Sequence, residues 1–123
     1  MSRRTLAKLL AANRIQYGLG MVLTPERNAK VWVGGSAAKR TPTKVLAQAL
    51  GARDIAMGIG AWRAIGDPQA SRAWYTALAI ADGADIPVTA LAGDDIPLPS
   101  RVATTTIAIA STAIAVAYAA APE

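Results

Sequence analysis

Twenty consecutive residues, Val102 to Ala121, carry no charged side chain. At 1.5 Å per residue a helix of that length covers about 30 Å, the thickness of a bilayer's hydrocarbon core. The Ile-Ala-Ile-Ala alternation at Ile107 to Ala110 has the period of a strand, but the length and alanine content of the segment favour a helix. This stretch is the strongest single sign that the chain crosses a membrane.

The rest of the chain divides in the same way. Joints rich in Pro, Gly and Asp mark off three more apolar stretches, about Thr5 to Leu23, Val45 to Ala64 and Ala73 to Ala92. Thr24-Pro25-Glu26 starts a short amphipathic helix carrying Trp32, Thr41-Pro42-Thr43 caps the second stretch, and Gly66-Asp67-Pro68 ends it and starts the third. A cleaved signal peptide does not fit the first stretch, because Asn13, Arg14 and Gln16 interrupt it where a signal needs continuity. At 123 residues there is room for one domain. The expectation is an all-α, integral membrane four-helix bundle, multi-pass in the cytoplasmic membrane, with both termini on one side. Trp62, Trp74 and Tyr118 would form an aromatic belt at one interface and Trp32 would mark the other.

Composition leans the same way, although alanine supplies much of the apolar content and leaves a soluble helical bundle open on composition alone, and it excludes several chemistries. Charged residues make up 17% of the chain against 53% hydrophobic, below the roughly 25% charged of a soluble domain. The net charge of +5 is scattered among apolar stretches and forms no basic stripe, so it suits anionic lipid headgroups and speaks against nucleic acid as a partner. Five cations at one end against six at the other leave the orientation open. The chain has no Cys and no His, which removes disulfides, thiolate nucleophiles, the usual zinc and haem sites and every His-based triad. No cofactor is expected. Chemistry is left to carboxylates, guanidinium, ammonium, hydroxyls and backbone.

The midpoints of the four stretches fall near Arg14, Asp54, Asp82 and Ser111. Ionised groups at that depth cost about 2.5 to 3.5 kcal/mol on insertion scales and therefore face the bundle interior and pair. Ala47, Gly51, Asp54, Gly58 and Ala61 recur at four-three spacing as one small-residue seam. Tyr75, Leu78, Asp82, Asp85, Thr89 and Ala92 share a second face, and Thr104, Ser111 and Tyr118 a third. Arg14-Ile15-Gln16-Tyr17-Gly18-Leu19-Gly20 echoes Asp54-Ile55-Ala56-Met57-Gly58-Ile59-Gly60, either a duplicated hairpin or two helices needing close approach. Pro87 follows Asp85 and frees the carbonyl of Gly83, which points to a kink and a small polar pocket at the charged layer.

Two arginines, Arg14 and Arg53, stand against three aspartates, Asp54, Asp82 and Asp85, although Arg53 lies about 100° around the helix from Asp54 and can reach a different neighbour. One carboxylate is left over, and a buried carboxyl without a cation keeps its proton, the property of a proton carrier or general acid. The plainer reading is a structural salt-bridge network that sets helix register. The candidate catalytic residues are thus Asp54, Asp82 and Asp85, and the candidate ligand-binding residues Arg14, Arg53, Tyr17 and Ser111. Magnesium on the aspartates is opposed by the neighbouring arginines, and no metal is expected. Gly18-x-Gly20 and Gly58-x-Gly60 follow no strand, so they are helix-packing glycines and not a dinucleotide fingerprint.

The run Gly51-Ala52-Arg53-Asp54 with Gly58-x-Gly60, preceded by Arg14 to Gly20 and Pro25 and followed by Asp82-x-x-Asp85, resembles a family of small four-helix membrane proteins of high-GC bacteria. That family is catalogued as a domain of unknown function, distantly DoxX-like. The resemblance covers residues 13 to 93 and implies a four-helix membrane fold without implying an activity. The functional expectation is a non-enzymatic membrane component, an accessory subunit, a homo-oligomer or a binder of an apolar ligand. The alternative is an intramembrane isomerase or cyclase acting on a lipid-like substrate with one aspartate as general acid.

Overall fold

The computed structural model describes all 123 residues. It is all-helical. Four long helices, α1 (Arg3–Leu23), α4 (Thr41–Ala64), α5 (Pro68–Ala92) and α6 (Leu98–Ala120), run up and down, and two short ones, α2 (Pro25–Val33) and α3 (Gly35–Ala38), link α1 to α4. A 3-10 turn, Gly93–Asp95, precedes α6. Segment 107–110 lies inside α6, so alanine and length prevail over the strand-like alternation there.

The joints behave as their chemistry dictates. Asp67 caps α5 by accepting from the backbone N–H groups of Gln69 and Ala70, and Pro68 occupies the first helical turn. Gly66 adopts φ of 105°, a conformation open to glycine and strained for other residues. At the other end of the bundle Gly34 turns with φ of 88° against the ring of Pro97, which seats the α2–α3 connection on the start of α6. The indole N–H of Trp32 donates to the Thr89 hydroxyl at 3.0 Å, fastening α2 to α5. Trp32 is therefore half-buried and bonded within the protein.

The helices pack as two tight pairs, α1 with α4 and α5 with α6, and the pairs close on each other more loosely. Small residues make the first pair tight. A Cβ on Gly18 would lie 2.5 Å from the carbonyl oxygen of Gly51, and one on Gly58 would lie 2.9 Å from that of Ala11. The five residues of the expected α4 seam are all buried. The α5 face holds too, with Tyr75, Leu78, Asp82 and Thr89 buried. Two apolar layers result, one built on Ala7, Leu10, Ala61, Tyr75 and Leu78, the other on Met21, Ala29, Ala38 and Ala47. Tyr75 and Tyr118 meet edge-on in the first layer, with ring centroids 4.7 Å apart.

Two expectations need correction. Tyr118 is buried and donates to the Glu123 carbonyl, so it belongs to the core and not to an aromatic belt. Trp62 and Trp74 do remain exposed at the same end. α5 runs on through Pro87 as one helix to Ala92, so the proline does not end it. Finally, by length and apolarity only α6 qualifies as a membrane span; the other long helices have the length but carry polar and charged residues in their middles.

Candidate functional site

A polar layer separates the two apolar ones, and Arg14 is its centre. Arg14 lies on α1 facing the bundle interior, one turn from Gly18, where the close approach of α4 brings Asp54 alongside. Its Nη1 donates to Asp54 Oδ1 at 3.0 Å, and its Nη2 donates to Asp82 Oδ1 on the diagonally opposite α5. The rigid, planar guanidinium fork suits this double engagement, which an ammonium could not reproduce with the same geometry. All three residues are buried, their side chains at 9 to 12% exposure. This is a buried salt-bridge network joining three helices.

The tyrosine of the same α5 face repeats the linkage one layer away. The Tyr75 hydroxyl donates to the Ala7 carbonyl at 2.8 Å, again crossing from α5 to α1. Ser71 on α5 donates to the Ala64 carbonyl at 2.8 Å and locks the α4–α5 joint.

The network holds more carboxylate than it neutralises. Asp82 Oδ2 is buried without a hydrogen-bond donor. Asp85, a turn along α5, is half-buried and makes no hydrogen bond or ion pair, although it lies within electrostatic reach of Asp54, Asp82 and Arg14. Tyr17 on α1 is half-buried and within reach of Asp54 and Asp85. Free acceptor oxygens therefore border the site, open to a donor group or a proton. The acidic side chains are not grouped to hold a metal ion.

Two of the expected site residues are elsewhere. Arg53 is exposed on the outside of α4 and has no carboxylate partner, because a single step along a helix turns about 100° away from Asp54. The cluster thus has one guanidinium for three carboxylates, not two. Ser111 is half-buried and makes no hydrogen bond, and its neighbour Thr112 is the one whose hydroxyl is buried, opposite Gly83. The buried residues of α6 are Ala108, Ala115, Tyr118 and Ala119, so of the expected seven-residue repeat Tyr118 lies in the core, while Thr104 and Ser111 are half-buried. Ser71 and Thr112 are polar groups that sequence reading passed over.

The expected pocket beside the aspartates is not among the prominent clefts. One cleft, of about 620 Å³, lies at the α2–α3 end and is lined by Arg27, Lys30, Lys39 and Lys44 among others. Another, of about 500 Å³, lies between α5 and α6 near Arg72 and Val116. Neither touches Arg14, Asp54, Asp82 or Asp85. No protein-family model, curated protein or solved structure matches the chain.

Proposed function

We propose that this chain is a small multi-pass membrane protein that acts as a non-catalytic accessory subunit, held in register by the Arg14 network. The observation that carries the reading is an inverted polarity. Arg14, Asp54 and Asp82 are inside, while Leu91, Leu46, Ile80 and Leu98 are 62 to 87% exposed on the outer faces of the long helices. In water so much exposed aliphatic surface is an aggregation liability, whereas in lipid it is the expected exterior. The helices of 21 to 25 residues cover about 31 to 37 Å, enough to cross a bilayer core.

A partner is favoured by Arg53. It stands about 17 Å from either end of α4, deeper than a side chain can snorkel, and faces outward without a counter-ion. Against lipid such a guanidinium is expensive; against a neighbouring helix bearing a carboxylate it is an anchor. The chain's own exposed acids, Asp67, Asp94, Asp95 and Glu123, all lie near helix ends, which leaves the half-buried Asp85 as the one unpaired carboxylate inside a long helix that a second copy could offer; otherwise the carboxylate comes from a different chain. The resemblance to small four-helix membrane proteins agrees with this reading and adds no activity to it.

The enzymatic alternative has Asp85 or the free oxygen of Asp82 as general acid. It requires an apolar cavity opening beside them, and the prominent clefts open elsewhere. Native mass spectrometry of the protein extracted gently from its own membrane separates the readings. A second membrane polypeptide at fixed stoichiometry, lost in Arg53→Leu while the melting temperature is kept, is the expected result. A lone chain carrying a small apolar molecule would move the assignment to ligand binding or catalysis, and recovery of the chain from the aqueous fraction without detergent would overturn the membrane reading.

A further inference from the structure

The cleft at the α2–α3 end is lined mainly by polar and charged side chains, four of them basic. Arg27 and Lys30 reach it from α2, Lys39 from the joint after α3, and Lys44 from the first turn of α4. Only Lys44 is neutralised, by Glu26 at 3.3 Å across the cleft; Arg27, Lys30 and Lys39 have no carboxylate partner. Three cations, two from α2 and one from the joint after α3, thus converge without a carboxylate partner on a concave space of about 620 Å³ that presents no hydrophobic side chain.

We propose that this cleft binds the phosphate of an anionic ligand, either the headgroup of an acidic lipid or a free phosphoester. Phosphate is the anion that this set of donors fits. A guanidinium pairs with two of its oxygens, and the flexible ammonium groups reach the others as point charges. The uncompensated charge favours a ligand with more than one negative charge, and the volume admits two phosphate groups. A nucleic-acid backbone needs a continuous basic stripe, whereas these cations converge on one cleft and the opposite end of the bundle has its arginines spread over separate helices. The lipid form of the proposal rests on the membrane reading, because α2 then lies at the interface, where basic pockets meet headgroups. The preference for phosphate does not rest on it.

The test uses the purified full-length protein, in detergent or, should it prove soluble, in water. Binding of short-chain phosphatidylglycerol, short-chain phosphatidylcholine and glycerol phosphate is measured by native mass spectrometry and calorimetry. Phosphatidylglycerol is expected to bind more tightly than phosphatidylcholine, with affinity falling as salt rises. Lys30→Gln with Lys39→Gln should weaken it by about tenfold or more, and Arg63→Gln with Arg72→Gln, at the other end, should leave it unchanged. These four side chains are exposed, so the folding of both variants is verifiable by their unchanged thermal melts. Glycerol phosphate binding as tightly as the lipid, with the same loss in the lysine variant, assigns the cleft to a free phosphoester. Equal binding of the two lipids, or equal binding by wild type and the Lys30/Lys39 variant, overturns the proposal. Solubility without detergent would remove the membrane reading alone, since the glycerol phosphate result is read independently of it.

Discussion

Arg14 and Asp54 stand 40 residues apart, at equivalent positions of two antiparallel helices, and the guanidinium of one meets the carboxylate of the other at 3.0 Å. The same offset relates Ala7 to Ala47, Ala11 to Gly51, Gly18 to Gly58 and Met21 to Ala61, all of them buried. Gly18 faces Gly51 and Ile55, and Gly58 faces Ala11 and Ile15, the contacts that an approximate two-fold axis between α1 and α4 generates. Near such an axis equivalent residues face each other. Opposite charges at the equivalent position turn what would be a like-with-like encounter into an ion pair.

The first prediction follows from that placement. Arg14→Leu leaves two buried carboxylates without a cation and should destabilise the bundle by about 3 to 5 kcal/mol. Exchanging the pair, Arg14→Asp with Asp54→Arg, puts a guanidinium on α4 beside Asp82 and should recover much of that loss. Thermal melts in one detergent decide it. A charge-swapped protein melting as low as Arg14→Leu would mean that the local two-fold has no energetic meaning.

Glycine substitutions should differ in sign. At Gly18 a methyl group would collide with the Gly51 carbonyl at 2.5 Å, and at Gly58 with an Ile15 side-chain carbon at 2.6 Å, so alanine at either position forces α1 and α4 apart. The expected cost is about 1 to 3 kcal/mol. At Gly83 the methyl group would sit 3.7 Å from Thr112, an ordinary contact, and Gly83→Ala should gain up to about 1 kcal/mol from helix propensity. Melting temperatures that fall equally in all three variants would show that backbone approach is not what these glycines provide.

What was legible in the sequence was periodic. The α4 seam and the buried α5 face follow from 3.6-residue spacing, and the starts of α2, α4 and α5 from a proline in the first turn. The echo between Arg14 and Asp54 was visible as well, but its meaning required knowing that the two helices pack antiparallel in register. Arg53 shows where spacing alone fails. Its place in sequence gives the depth shared with Asp54, yet its angle on the helix decides whether it joins the cluster. Ser111 fails for the same reason, since a rotation of about 100° separates it from Thr112.

The two hydroxyl groups missed at the sequence level should also respond oppositely. The Thr112 hydroxyl is buried without a partner, so the near-isosteric Thr112→Val removes an unsatisfied group and should be neutral or stabilising by up to about 1 kcal/mol. Ser71→Ala deletes a hydrogen bond to the Ala64 carbonyl and should cost about 1 kcal/mol. Chemical unfolding of the two variants side by side is sufficient. A clear loss in Thr112→Val would reveal a bonded partner at that hydroxyl, a water or a polar ligand.

Because the chain contains no cysteine, single spin labels can be attached to it without removing a native thiol, and they test the proposal that its aliphatic surface faces lipid. Ile80 on α5 and Ile107 on α6 are 69% and 55% exposed and lie within the long helices, away from their ends. Reconstituted in bilayers, labels at these sites should collide readily with oxygen, which concentrates in hydrocarbon, and rarely with a water-soluble nickel chelate. A label at Lys30 on α2 should show the reverse, since that helix carries the basic cleft and, on the proposed membrane reading, would lie at the interface. The contrast arises because an inverted bundle hides its charges between helices and gives its aliphatic side chains to lipid. If the nickel chelate reaches Ile80 and Ile107 as freely as Lys30, the aliphatic surface of α5 and α6 faces water, and neither helix is embedded in the bilayer as proposed.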